Sequence, residues 1–177
     1  KIYYKNSYGN FTDLPIGNMD LKLPLKRENF ANILGRKIKI YFSDKDATNL
    51  LAEYRAINKH DKGVAKRIIE ELINGPDSEN ASSHFAVIPA GITKDDIKVW
   101  VSGQTIIVDL PNKFHIARLG NRSGIMALYA IVNSLTDPTN TKNITQVQFL
   151  VDGKKIEDLD NVALGDPFVR NPALIRE

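Results

Sequence analysis

Strict alternation of apolar and polar positions begins at Lys37-Ile38-Lys39-Ile40-Tyr41-Phe42. Successive side chains of a strand point to opposite faces, so Ile38, Ile40 and Phe42 share one face and Lys37, Lys39 and Tyr41 the other. This predicts a half-buried strand, after which Asp44-Lys45-Asp46 turns the chain. Leu50 to Ile57 fits two templates. Leu50, Leu51, Tyr54 and Ile57 make a helical face, while Ala52, Tyr54 and Ala56 alternate with Glu53 and Arg55 like a strand pairing back. Val64, Ile68 and Leu72, with Ala65, Ile69 and Ile73, form the apolar stripe of an amphipathic helix. Asn74-Gly75-Pro76 stops it, because glycine reaches the left-handed cap and proline cannot continue a helix.

Past a polar loop and Ile88-Pro89-Ala90-Gly91, two strands are predicted, with Ile97, Val99 and Val101 alternating in the first and Ile106 and Val108 in the second. Ser102-Gly103-Gln104 between them reads as a hairpin turn. Ile125, Leu128, Tyr129, Val132 and Leu135 mark a second helix, with Asn121 or Ser123 as its cap and Asp137-Pro138 as its end. A strand with Thr145, Val147, Phe149 and Val151 on one face closes the series at Asp152-Gly153, and the tail from Asp158 to Glu177 reads as loop. The order is strand, strand or helix, helix, strand, strand, helix, strand. It predicts an α+β fold: a small mixed sheet with two helices packed on one face.

Residues 1–36 follow no sustained period and are punctuated by Pro15, Pro24, Gly9, Gly17 and Gly35. Met19, Leu21, Leu23 and Leu25 alternate with Asp20, Lys22, Pro24 and Lys26, which permits a short edge strand. The preferred reading is an extended leader. Residues 37–170 then form the domain and residues 171–177 a tail.

The 177 residues are 42% hydrophobic and 25% charged, globular values that exclude a disordered or fibrous chain. Net charge is +3, carried by the front: residues 1–40 hold eight basic against three acidic side chains, the rest sixteen against eighteen. A nucleic-acid binder concentrates positive charge on a face of its domain with aromatics interleaved, and that pattern is missing, so no nucleic-acid partner is expected. A basic leader does suit an anionic membrane surface, at roughly 1 kcal/mol per Lys or Arg. No cysteine occurs, which removes thiol catalysis and cysteine–zinc sites. No run of 18 apolar residues occurs either, and the first six residues, Lys1 to Asn6, lack the apolar core of a signal peptide.

There is no glycine-rich phosphate loop, no G-x-S-x-G elbow and no H-E-x-x-H pair. His60, His84 and His115 are scattered over loops and lack metal-ligand spacing, so neither a metal nor a cofactor is expected. Glu70 and Glu71 are helix neighbours that do not face each other, and Asp95-Asp96 reads as a turn. Trp100 lies opposite Ile97, Val99 and Val101 on its strand, which makes it either half-exposed or covered by the leader. The N-x-S/T triplets at Asn10, Asn80, Asn121 and Asn143 matter only in a eukaryotic secretory pathway, for which nothing else argues.

Six motifs in order resemble the GerM domain of sporulation and spore-germination proteins: the strand Ile38 to Phe42, Leu72-Ile73-Asn74-Gly75-Pro76, Ile88-Pro89-Ala90-Gly91, Val108-Asp109-Leu110, the helix Ile125 to Thr136, and Val147 to Gly153. The resemblance spans about residues 37–170. Ser134-Leu135-Thr136 replaces the family's Thr-Leu-Thr, and Pro111-Asn112 stands where a serine is usual. The family implies a compact domain of secreted or lipid-anchored bacterial proteins, similar to the ring-building motifs of the channel joining mother cell and forespore. It implies that Leu50 to Ile57 is a strand, and it carries no catalytic residues.

The expected function is therefore a non-enzymatic extracytoplasmic module, a lipoprotein of a Gram-positive spore former that binds a protein partner or another copy of itself. Tyr41, Lys98 and Trp100 are the candidate surface, because each lies opposite the apolar face of its strand. Two alternatives compete. One is a cell-wall or small-molecule binder stacking ligands on Trp100 and the tyrosines; the other is a hydrolase using His84 or His115 with Asp109.

Overall fold

The computed structural model describes residues 14–16, 19–21, 35–57, 63–114, 121–159 and 162–176. Leu14–Ile16 (β1) and Met19–Leu21 (β2) pair antiparallel, with Leu14 opposite Leu21 and Ile16 opposite Met19. They belong to one unit, residues 1–36 with 58–60; residues 37–57 and 61–177 form a second. The stretch read as an extended leader thus contains a hairpin, and Leu23 and Leu25 lie outside the described residues.

Arg36–Ser43 (β3), in the second unit from Lys37 on, and Leu50–Ile57 (β4) are neighbouring strands, so the strand template fits Leu50 to Ile57. Asp44 builds the turn between them. Its backbone N–H donates to Asn49 O at 2.9 Å, and its carboxylate accepts from Thr48 N at 2.8 Å and Asn49 Nδ2 at 2.7 Å. Burial works against the charge of Asp44, but these donors outweigh it and hold the carboxyl at about 2. Helix α1, Val64–Asn74, buries Ile68, Ile69 and Leu72 and ends at Gly75, whose φ of 81° favours glycine.

Lys98–Ser102 (β5) and Thr105–Leu110 (β6) form the expected hairpin, Ser102 opposite Thr105. Helix α2, Asn121–Thr136, leads to Gln146–Val151 (β7), which pairs parallel with β6. Asp158–Leu159 (β8) pairs with Val162–Ala163 (β9), Phe168–Val169 (β10) with β7, and Ile175–Arg176 (β11) runs parallel to β4. The fold is α+β, as the pattern predicts. The strands divide between a mixed sheet in the order β10-β7-β6-β5 and a three-stranded sheet in the order β11-β4-β3.

Two readings are corrected. The tail is not loop, because β10 and β11 each extend a sheet. Helix α2 buries Leu128, Val132 and Leu135 of the expected stripe but not its other two members: Ile125 is exposed and Tyr129 half-buried, while Met126, Ala127, Ala130 and Ile131 outside the stripe are buried. The helix is enclosed on more than one side. It packs on β7 and β10 and also meets the edge of β3 through Ser134. The core joins Ile38, Ile40 and Phe42 to Ile68 and Leu72, and through Leu128 and Ile131 to Val108, Val147 and Phe149. Each such side chain contributes about 1.5–3 kcal/mol by leaving water. Among the described residues no helix is long and apolar enough to cross a membrane.

Candidate interaction surface

The outer edge of β3 is closed by side chains from the end of α2. Tyr41 N–H donates to Ser134 Oγ at 3.0 Å. Asn140 answers both main-chain groups of Lys39, accepting from its N–H at 2.8 Å and donating to its carbonyl at 2.5 Å. A side-chain amide here does the work of a missing neighbour strand. Main-chain bonds between Ser43 and Phe85 continue the edge.

Tyr41 is 0% exposed, which overturns its assignment to a surface. Its hydroxyl donates to Asp137 Oδ2 at 2.7 Å, and Arg170 Nη2 lies 3.0 Å from that hydroxyl and 2.9 Å from the same carboxylate. Alternation along β3 does place Tyr41 opposite Ile38, Ile40 and Phe42. That second face is covered as well, by the end of α2 and the tail. Burial pushes the Tyr41 phenol well above its ordinary range, and the bond to the Asp137 anion pushes it further. Asp137 moves the other way: burial opposes its charge, but bonds from Thr139, Tyr41 and Arg170 outweigh it and hold the carboxyl below its ordinary 3.8.

A folded-state value below the unfolded one gives stability that is complete above the unfolded value and lost as pH falls through the folded one. Urea unfolding from about pH 5 down to about pH 2 is therefore expected to show a steeper loss for the wild type than for Asp137→Asn. Parallel curves would assign the acid sensitivity to other carboxylates.

A second polar joint ties β4 to α1. Arg55 pairs with Glu53 at 2.7 Å, Glu71 at 3.6 Å and Asp77, and donates to the Gly75 carbonyl at 3.0 Å. Arg67 holds Glu71 at 2.6 Å and Glu70 at 3.2 Å, so these two carboxylates are spent in ion pairs. At the far end of the mixed sheet, Asp109 Oδ1 accepts the Gly153 N–H at 2.7 Å and Asp152 N–H donates to Leu110 O at 3.0 Å. Asp109 on β6 and the Asp152-Gly153 turn thereby lock the parallel ends of β6 and β7. Asp96 closes a turn, accepting from Thr93 N at 2.7 Å; the Lys113 ammonium at 2.7 Å is the main cause holding its carboxyl at about 2.

Lys98 and Trp100 stand on one face of β5, the edge strand of the mixed sheet. Trp100 is 44% exposed, and Lys98 reaches toward Asp109 with 4.0 Å between charged atoms. Val101, expected on the inner face, is 57% exposed. An edge strand lacks a neighbour on one side, and here that leaves Val101 uncovered. Among the described residues no strand pairs with the outer edge of β5. Ile107 and Gln148, cross-strand from Trp100 in register, continue its face half-buried.

Of the hydrolase residues, His84 and Asp109 are not brought together. His84 Nδ1 contacts Ser83 Oγ at 2.8 Å, no hydrogen bond or ion pair joins His84 to Asp109, and His60 and His115 lie outside the described residues. Among the described residues no group of three or more His, Asp or Glu side chains could hold a metal ion.

A family model described as Germane, sporulation and spore germination, matches residues 39–157, about two thirds of the chain. The chain belongs to the Germane family.

The fold agrees with that membership. The first GerMN domain of the sporulation protein GerM from Bacillus subtilis is similar with a TM-score of 0.57 at 22% identity, over 76% of this chain and 95% of that one. The tandem GerMN domains of the same protein match with a TM-score of 0.57 at 16% identity, over 93% of this chain and 59% of theirs. No curated protein matches the sequence. The motifs by which the Germane domain is legible sit at structural joints: Gly75 ends α1 beside Arg55, Ser134 closes the edge of β3, and Asp109 receives Gly153. Arg170, which completes the Tyr41 joint, and Asn140, which caps the main chain of Lys39, carry no signal in the sequence. A lone arginine in a polar tail and an asparagine after a helix look solvated until the chain folds.

Proposed function

We propose that this Germane domain is a non-enzymatic extracytoplasmic assembly module, tethered to the membrane ahead of the domain, whose partner is a second copy of the chain meeting it at β5. The observation that carries this reading is that no strand among the described residues pairs with the outer edge of β5, with Trp100 and Val101 exposed beside it. An unpaired strand edge is a template for another strand, and aromatic anchors are the residue types that dominate protein interfaces. The charged and polar groups with strong internal partners, at Tyr41, Arg55 and Asp109, are consumed in holding the fold. Family membership ties the module to sporulation or germination.

The absence of cysteine makes the test direct. Val101→Cys, on the proposed contact strand, is expected to give a covalent dimer under mild oxidation, and Lys155→Cys, away from it, is not. Adding Trp100→Ala is expected to suppress the dimer. Equal dimer from both single-cysteine variants, or none from Val101→Cys, would move the interface elsewhere.

A further inference from the structure

A cleft of about 390 Å³ opens among β3, β4, β11 and the loop bearing His84, away from the edge of β5. Lys39, Tyr54, His84 and Arg176 line it together with the apolar side chains of Leu51, Ala52 and Ile175, and among the described residues no carboxylate lines it. Neither Lys39 nor Arg176 makes an ion pair among the described residues. Lys39 is nonetheless positioned: its ammonium stands 5.5 Å from the ring centre of Tyr41 and 5.9 Å from that of Tyr54. Tyr54 is 61% exposed, so one wall of the cleft is an aromatic ring open to solvent. His84 Nδ1 is engaged by Ser83 Oγ, while its Nε2 is buried without a hydrogen-bond partner. Buried polar atoms are normally paired, and a ligand oxyanion, directly or through a water, is the partner that suits these surroundings.

We propose that this cleft binds a small ring compound, of the size of a monosaccharide, that carries a carboxylate or phosphate group. Lys39 supplies a point charge and Arg176 a planar fork of donors for the oxyanion. Tyr54 offers the flat surface on which the ring lies, beside the apolar floor of Ala52 and Ile175. The inference does not rest on the assembly role of β5, because the two sites share no residue.

The test is an NMR titration of the ¹⁵N-labelled chain with glucuronate, glucose 6-phosphate, glucose and inorganic phosphate, each to about 50 mM, a range that detects millimolar affinity. Shifts centred on Lys39, Tyr54, His84 and Arg176 are expected with one or both charged sugars and not with glucose; comparing the two charged sugars tells carboxylate from phosphate. Lys39→Met with Arg176→Ala, which removes both charges but keeps an unbranched apolar side chain at position 39, is expected to weaken binding about tenfold or more. Tyr54→Ala is expected to weaken the sugar but not inorganic phosphate. The proposal is overturned by the absence of shifts with both charged sugars, by glucose acting equally, or by unchanged affinity in a double variant of wild-type melting temperature. Inorganic phosphate binding as tightly as glucose 6-phosphate would remove the ring from the proposal.

Discussion

Tyr41→Ala is expected to lower the unfolding free energy by about 3–5 kcal/mol, while Trp100→Ala lowers it by less than about 1 kcal/mol. Both residues look alike in sequence, each an aromatic opposite the apolar face of its strand. They differ in what covers them: Tyr41 is 0% exposed and Trp100 44%. Removing the Tyr41 ring leaves a cavity and strips Asp137 of a hydroxyl donor, with Arg170 left as the nearby cation. Tyr41→Phe separates the two contributions, because it retains the ring and is expected to cost about 1–3 kcal/mol for the lost hydroxyl alone. Urea unfolding at neutral pH measures all three. A cost below about 1 kcal/mol for Tyr41→Ala would mean that the joint between β3, α2 and the tail is not closed in solution.

Arg55→Ala has an expected cost of about 3 kcal/mol or more, since breaking a buried pair leaves uncompensated charge. Its partner Glu53 has a side chain only 2% exposed and Glu71 one 10% exposed, so neither carboxylate can recover its hydration without local opening. Arg67 still faces Glu71 at 2.6 Å, and Asn80 Nδ2 still donates to Glu53 at 2.8 Å, which places the loss chiefly on Glu53. Adding Glu53→Gln to Arg55→Ala is therefore expected to restore part of the stability, as removing the orphaned charge removes its penalty. A double variant less stable than Arg55→Ala alone would show that Glu53 serves mainly as the acceptor for the Asp77 backbone N–H, at 3.3 Å, and for Asn80 Nδ2, and not as a counter-ion.

These two cases show where sequence reasoning stops. Periodicity placed β3, α1, the β5–β6 hairpin, α2 and β7, because period and turn residues are local properties that burial of one face then reinforces. The ambiguous Leu50 to Ile57 needed the family resemblance, since eight residues satisfy both templates. Local pattern also gave the ends of α1 and α2, where Gly75 and Pro138 act on the backbone next to them. It could not tell that the second face and the outer edge of β3 are covered, because the covering residues, Ser134, Asp137, Asn140 and Arg170, come from 93 or more positions away. For the same reason alternation alone puts Tyr41 on a surface and Val101 in a core, and the structure reverses both. Alternation reports which side chains share a face; which faces and edges meet solvent is decided by the order of strands in the sheets. That order put β3 between β4 and the end of α2, left β5 at the edge, and turned a polar tail into β10 and β11. The basic cleft was likewise invisible in sequence, since Lys39, Tyr54, His84 and Arg176 meet only when β11 closes on β4. The chain's local pattern determined its elements and its family; long-range closure of edges and faces decided which of its polar and aromatic residues hold the fold and which are free to bind.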